Sequence, residues 1–316
     1  MDGSKQQAVT EEEANTISDI QEQVVMPEQF EPTFTLISAA LPPTMCTTEF
    51  QSTRNSFEEA LHAVLKIAVL PAALIQQAIK GMMYFQAREL HKGTQDNPSE
   101  ELIEKITSIL DSRLRGSGSS SGELTLFMLS ELKSSKEFGP KSFQEVLRQA
   151  TVATWSAFEV LAGDLVAPVL NQKPVLVKEL LAIKTFASIK SLPIDTLVEH
   201  GFDLSTSIGD WLIAQPQYRI DGLYTIKELW TALASGASGV IDKINRPELR
   251  QLYLRRNLIT HRRCRIDKQY VTQRIDNFRV GEMLQINSSD LLMYLRVVAE
   301  AGGAILKQAN LLCNRS

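Results

Sequence analysis

Apolar residues between positions 55 and 92 recur at the spacing of an amphipathic α-helix, and this pattern restricts the folds that the chain can adopt. Phe57, Leu61, Val64 and Ala68 lie three or four residues apart, so they fall on one side of a helix. Further helices are predicted over residues 100–115, 123–136, 143–170, 174–191, 225–235, 240–260 and 291–312. The sequence therefore predicts an all-α fold, a bundle of helices.

Polar residues interrupt this apolar run, which argues against a membrane span. Lys66, Gln76, Gln77 and Lys80 stand within it, and a spanning helix needs about 20 consecutive, predominantly apolar residues. Pro71 predicts a kink or a division of the helix. The three cysteines are scattered and form neither a disulfide framework nor a ligand cluster. We therefore expect a cytoplasmic protein without membrane contact.

Composition divides the 316 residues into three regions. Residues 1–52 are polar and acidic and lack the basic start and apolar centre of a signal peptide, which predicts a disordered acidic tail. A short interaction motif around Phe30–Ile37 is the alternative for this region. Residues 53–139 are predicted to form an N-terminal helical region. Residues 140–316 are predicted to form a second helical domain, with a small β-hairpin over residues 280–286.

The stretch from Gln251 to Asp267 places an imidazole, an amide and several guanidinium groups close together. Its apolar residues predict a helix that ends in a basic turn, with Arg256 and Asn257 near the end and His261 five residues after the arginine. Imidazole exchanges protons near neutral pH, and guanidinium stays charged and donates to phosphate oxygens. The set suits cleavage of a phosphodiester. RNA is the favoured substrate, because its 2′-hydroxyl can act as an internal nucleophile.

A structural interpretation of these residues stays open. Cations are favoured near helix C-termini, which would account for Arg256 without any ligand, and His261 would then be an ordinary surface residue. Arg255 fits the spacing to His261 as well, but Asn257 directly follows Arg256. Glu159, on the predicted helix 143–170, is a candidate to orient Arg256 or His261.

Basic residues are concentrated around the same stretch, although the whole chain has a formal net charge of −4. Residues 243–279 contain eleven Lys or Arg against three Asp or Glu, an excess that predicts contact with an RNA backbone. The residues predicted to bind RNA are Arg255, Arg262, Arg263, Arg265 and Lys268.

Arg256-Asn-Leu-Ile-Thr-His261 resembles the Arg-x(4–6)-His signature of the HEPN domains, helical domains found in many prokaryotic ribonucleases and toxins. Three further segments are similar to the HEPN branch often linked to RNA-targeting systems. They are Trp155-Ser-Ala-Phe-Glu159, Arg265-Ile-Asp-Lys-Gln-Tyr270 and Gly281-Glu-Met-Leu-Gln-Ile-Asn287. The resemblance covers about residues 140–313.

The resemblance implies a metal-independent endoribonuclease that acts as a toxin or defence effector. Arg256 and His261 from two protomers of a homodimer would line one cleft. Attack by the 2′-hydroxyl would leave a 2′,3′-cyclic phosphate, and Asn257 would hydrogen-bond the phosphate or fix the loop. Many members have Asn and Gly directly after the His, where this chain has Arg262 and Arg263, whose charge suits a polyanion.

The alternative is a non-catalytic RNA-binding or protein-assembly module. An antitoxin or another regulatory protein would be a further partner of a toxin. No cofactor and no metal ion are predicted, because no Gly-rich phosphate loop follows a strand and the His and Cys residues are isolated in the sequence.

Overall fold

The computed structural model describes residues 22–91, 142–187, 189, 193–220, 222–234 and 238–314, together with positions 125, 126, 128, 129 and 132. About 74% of the structure is helical. Within the described ranges the β pairing consists of one isolated antiparallel bridge between Arg265 and Met283. The predicted all-α fold is confirmed.

The described α-helices are numbered here in chain order. They are α1 (Phe30–Ala40), α2 (Thr48–His91), α3 (Ser142–Asp164), α4 (Val166–Gln172), α5 (Val177–Leu181), α6 (Ile194–Glu199), α7 (Ile208–Ile213), α8 (Leu223–Leu233), α9 (Ser238–Ile244), α10 (Pro247–Arg262), α11 (Lys268–Thr272) and α12 (Ser288–Asn314). Short 3₁₀ helices span Pro27–Gln29 and Pro174–Leu176.

The chain divides into two compact units. The first comprises residues 1–31, 66–147 and 286–289, and the second comprises residues 32–65, 148–285 and 290–316. This division differs from the predicted boundary at residue 140, because the N-terminal residues 32–65 belong to the larger, C-terminal unit.

The first unit is organised around the second half of α2. Its described core consists of Val24, Met26, Ala72, Ile75, Ile79, Leu126, Leu129 and Phe143. A polar contact accompanies this core: the side-chain amide of Gln144 donates to the carbonyl of Ile286 at 3.0 Å and accepts from its N–H at 3.2 Å. Both groups of this backbone position are therefore satisfied although they are buried.

The second unit contains the large buried aromatic side chains Trp155, Phe158, Trp230 and Tyr294. The indole Nε1 of Trp230 donates to the carbonyl of Ala162 at 3.1 Å.

Two glycines of α12 permit close helix packing in this unit. A Cβ at Gly302 would collide with the ring of Phe57, and one at Gly303 would collide with the carbonyl of Ala40. Small residues at these positions therefore let α1 and the start of α2 approach α12 closely.

The prediction that residues 1–52 are disordered is wrong for residues 22–52. Helix α1 and the start of α2 lie in this region, and Ile37, Leu41 and Phe50 are almost completely buried. The acidic composition of the whole region gives no indication of the short apolar segment within it. The side chains of this segment become buried when it packs. Residues 1–21 lie outside the described residues.

Several helix boundaries differ from those predicted. The predicted helix 143–170 is interrupted at Leu165, and the predicted helix 174–191 ends as a regular helix at Leu181. The predicted hairpin over residues 280–286 is wrong, because this segment pairs with residues 264–266 instead of with itself. The predicted helix 100–115 lies outside the described residues.

Two helical stretches pass a test for membrane spans by length and composition alone. They are Thr48–Met82 and Ser142–Gln172, with 44% and 56% of their most apolar windows buried inside the fold. Mostly buried core helices pass the same test, so the cytoplasmic location stays a prediction.

Candidate active site

Helix α10 carries the candidate catalytic residues, and its two ends are defined by the local sequence. Pro247 occupies the first turn, where its missing N–H and fixed φ are compatible with a helix start. At the other end Arg263 adopts φ +50°, and its N–H donates to the carbonyl of Leu258. The left-handed conformation common after helices is thus formed here by an arginine.

One face of α10 lines a cleft of about 560 Å³. Tyr253, Asn257 and His261 lie four residues apart along this face, so their side chains follow one another on one side of the helix. The lining also includes Glu159 of α3 and, after the end of α10, Asp267, Gln269 and Tyr270. The cleft therefore contains an imidazole, an amide, a carboxylate and guanidinium groups within one protomer.

Arg256 reaches this cleft and contacts two of its residues. Its Nη2 lies 3.5 Å from a carboxylate oxygen of Glu159, and its Nη1 donates to the side-chain oxygen of Asn257 at 3.0 Å. Its Nε is buried and has no hydrogen-bond partner in the described part of the chain. The guanidinium is thus held between the carboxylate of Glu159 on α3 and the amide of Asn257 on its own helix.

Arg255 does not reach the cleft, and its predicted contact with RNA is wrong. Its side chain is buried, with the residue 5% exposed. Its Nη1 donates to Asp290 at 2.8 Å, and its Nη2 and Nε donate to Asp276 at 3.1 and 3.2 Å. The Tyr270 hydroxyl donates to the same oxygen of Asp276. A guanidinium enclosed in this way cannot bind a phosphate without breaking a buried ion pair.

The electrostatic surroundings keep Arg255 charged. Burial lowers the pKa of Arg255, but the neighbouring Tyr294, Asp290 and Asp276 raise it by more. The pKa therefore lies above its usual range. Burial and the hydrogen bond with Asp276 raise the pKa of Tyr270 as well. The cluster is therefore a structural network of one cation, two carboxylates and neutral phenols.

The other predicted RNA-binding residues are all exposed. Arg262 lines the cleft and lies 3.2 Å from Asp267. Arg263, Arg265 and Lys268 follow it on the surface, outside the lining of the cleft. The basic turn is thus divided into one arginine that faces the cleft and three cations beside it.

Sequence reasoning gave no role to several groups of the site. Asp267 accepts from the N–H of Tyr270 at 2.8 Å and so caps α11, which fixes the wall of the cleft. Gly222 has φ +87°, and a Cβ there would collide with the Tyr253 ring, which packs on Trp155 at 5.0 Å. The Asp-x-x-Tyr spacing signals the cap, whereas the contact of Gly222 with Tyr253 has no signal in the sequence.

The comparisons with known proteins identify no relative of this chain. No protein-family model matches it, and neither the curated proteins nor the solved structures searched contain a match. Among the described residues there is no cluster of three or more His, Cys, Asp or Glu that could hold a metal ion.

Proposed function

We propose that the protein is a metal-independent endoribonuclease of the HEPN type. The observation that carries the proposal is the placement of Arg256, Asn257 and His261 around one cleft large enough for a nucleotide. Imidazole and guanidinium are themselves the proton-transfer and electrostatic groups that phosphodiester cleavage requires. The resemblance of the Arg-x(4–6)-His signature supports the same assignment.

The proposed reaction is a transesterification within the RNA chain. His261 accepts the proton of the 2′-hydroxyl, and the 2′-oxygen forms a bond to phosphorus. The bond from phosphorus to the 5′-oxygen breaks, and the leaving oxygen takes a proton from an acid. Arg256 stabilises the charge that develops on the phosphoryl oxygens. The products are a 2′,3′-cyclic phosphate and a 5′-hydroxyl.

Glu159 positions Arg256 in the cleft. Its carboxylate lies 3.5 Å from the guanidinium, so it restricts that side chain and offsets part of the local positive charge until RNA binds. In the proposed homodimer a second His261 supplies the proton to the leaving oxygen, because one protomer contributes one imidazole to the cleft.

A non-catalytic RNA-binding module is the second candidate. The exposed cations Arg263, Arg265 and Lys268 favour contact with a polyanion whether or not cleavage occurs. Both arginines that line the cleft also have a carboxylate neighbour, Glu159 or Asp267. Binding without cleavage is the outcome that separates this candidate from the nuclease.

Cleavage of a labelled mixed-sequence RNA in EDTA tests the proposal. The wild type is expected to release 2′,3′-cyclic phosphate ends, and RNA with 2′-deoxy sugars should resist. His261→Ala and Arg256→Ala should each lower the cleavage rate by about 10²-fold or more while RNA binding persists.

His200→Ala is the matched control. His200 is also exposed, and its ring hydrogen-bonds the Ser207 hydroxyl. This variant should cleave like the wild type. Bound but intact RNA would shift the assignment to the binding module. Wild-type cleavage that His261→Ala leaves unchanged would exclude the proposed site.

A further inference from the structure

Four large apolar side chains on α2 are exposed to solvent. Ile67, Leu70, Leu74 and Met82 are 56%, 50%, 60% and 48% exposed. Ile67, Leu70 and Leu74 lie three and four residues apart, so they form a continuous stripe along one side of the helix. A contiguous apolar surface of this kind marks a contact site more often than single exposed residues do.

The opposite side of the same part of α2 is packed into the first unit. Ala72, Ile75 and Ile79 belong to its core, together with Leu126 and Phe143. The helix therefore has a packed side and an exposed side, and the stripe belongs to the exposed side.

The charged residues of α2 that lie nearest to the stripe are basic. Between Glu59 and Glu89 the chain has no acidic residue, and its charged residues are Lys66, Lys80 and Arg88. Lys66 and Lys80 are exposed and form no ion pair within the described residues.

The two lysines also lie on the same flank of the stripe. At 3.6 residues per turn, Lys66 and Lys80 are about 40° and 80° to one side of Leu70, whereas Leu74 and Ile67 are about 40° and 60° to the other. An apolar face with lysines along its edge is the pattern of a helix that lies in a membrane interface.

We propose that this stripe docks on an anionic lipid surface, with α2 parallel to the membrane plane. The apolar side chains would enter the acyl boundary, and Lys66 and Lys80 would contact acidic headgroups. A second copy of the chain fits less well. An antiparallel pair of stripes centred between Leu70 and Leu74 would place Lys66 of one copy beside Lys80 of the other, and like charges repel.

Co-sedimentation of the full chain with lipid vesicles tests this proposal, which does not depend on the nuclease assignment. The wild type should bind vesicles of phosphatidylcholine with about 30% phosphatidylserine and bind pure phosphatidylcholine vesicles weakly. The double variant Leu70→Ser/Leu74→Ser should reduce binding about tenfold or more. It leaves every charge in place, so electrostatic attraction by the basic residues near α10 is unchanged.

Two further variants complete the experiment. Lys66→Glu/Lys80→Glu should abolish the preference for phosphatidylserine. Val175→Ser removes an apolar side chain that lies outside the stripe and is 74% exposed. This variant should bind like the wild type.

The proposal is overturned if the wild type binds neither vesicle, or if Leu70→Ser/Leu74→Ser binds as well as the wild type. A dimer that this double variant converts to monomer, without vesicle binding by the wild type, would assign the stripe to a second copy. Binding of an acidic peptide with no vesicle binding would assign it to a protein partner.

Discussion

Arg255 and Arg256 are adjacent in the sequence but have different surroundings. One helical step rotates the side chain by about 100°, so Arg255 enters the interior beside Asp276 and Asp290 while Arg256 faces the cleft. The buried arginine holds three chain segments together. The arginine of the cleft has one half-buried carboxylate neighbour and is the one placed to act on a ligand.

Replacement of Arg255 is therefore expected to cost far more stability than replacement of Arg256. Arg255→Ala removes a buried guanidinium and leaves the partly buried Asp276 and Asp290 without their shared cation, and should lower the free energy of unfolding by about 3 kcal/mol. Arg256→Ala removes one partly exposed ion pair and should cost about 1 kcal/mol or less. Urea denaturation of both variants measures the difference. Equal losses would contradict the structural role assigned to Arg255.

The sequence locates the candidate site within one stretch but does not show which of these two arginines belongs to it. Spacing to His261 admits both, and the preference for Arg256 rested on the following Asn257. The separating contacts involve Asp276 and Asp290, which are 21 and 35 residues away along the chain. No helical or strand periodicity connects positions so far apart, so only the packed structure brings them together.

At the scale of elements, the junction between α9 and α10 is fixed by an ion cluster. The chain leaves the helical path after Ile244 and resumes it at Pro247, so the predicted helix 240–260 is divided there. Glu300 of α12 accepts from Lys243 at 2.8 Å and from Arg246 at 2.7 Å. The cluster therefore positions the start of the helix that carries the candidate site.

The pKa of Glu300 leads to a prediction about acid. Burial would raise this pKa, but Lys243 and Arg246 lower it overall below the usual 4.5. A group with a lowered folded-state pKa stabilises the fold above its unfolded-state pKa, and the contribution disappears as the pH falls through the folded-state value. Glu300→Gln should therefore cost about 1 kcal/mol at neutral pH and progressively less below pH 4.5.

Chemical denaturation of wild type and Glu300→Gln at about pH 7 and about pH 3.5 measures this effect. Glu179→Gln serves as the control, because Glu179 is exposed on α5 and takes part in no recorded ion pair among the described residues. A difference between wild type and Glu300→Gln that stays constant across this pH range would show that the cluster is not the source of the stability.

Helices with one strongly apolar face were predicted well. Segments whose structure depends on pairing with residues far along the chain were predicted poorly. The periodicity of α12 and of the described part of α2 reflects the burial of one side of each helix, which a sequence displays directly. The segment 280–286 alternates like a strand, yet it pairs with residues 264–266 beyond α11. Its pattern indicates an extended backbone without naming the partner.

At the scale of the whole molecule, helical periodicity predicted an all-α chain, but composition misplaced its N-terminal part. Residues 32–65 belong to the same unit as α10 and α12. Phe34 stacks on His62 at 3.6 Å, and the Cys46 N–H donates to Asn310 at 2.6 Å. The average composition of a region gives no indication of such contacts, because they depend on a few side chains and on partners far along the chain.

The proposed homodimer allows the proposed nuclease activity to be tested at the scale of the whole molecule. If two protomers line one cleft, an Arg256→Ala dimer lacks both guanidinium groups and a His261→Ala dimer lacks both imidazoles. A mixed dimer keeps one of each. Mixing the two inactive variants under conditions of subunit exchange makes about half of the dimers mixed. In these dimers the remaining His261 can act as base while water protonates the leaving oxygen, so cleavage should return in part.

Each variant mixed with itself at the same total concentration is the control, and differently tagged chains show that exchange has occurred. Restored cleavage would require that groups from two protomers act on one phosphodiester. If exchange is complete and no cleavage returns while the wild type is active, either each cleft works within its own protomer or a shared cleft needs both imidazoles. In a cleft that works within one protomer, which has a single His261, water would be the acid for the leaving oxygen.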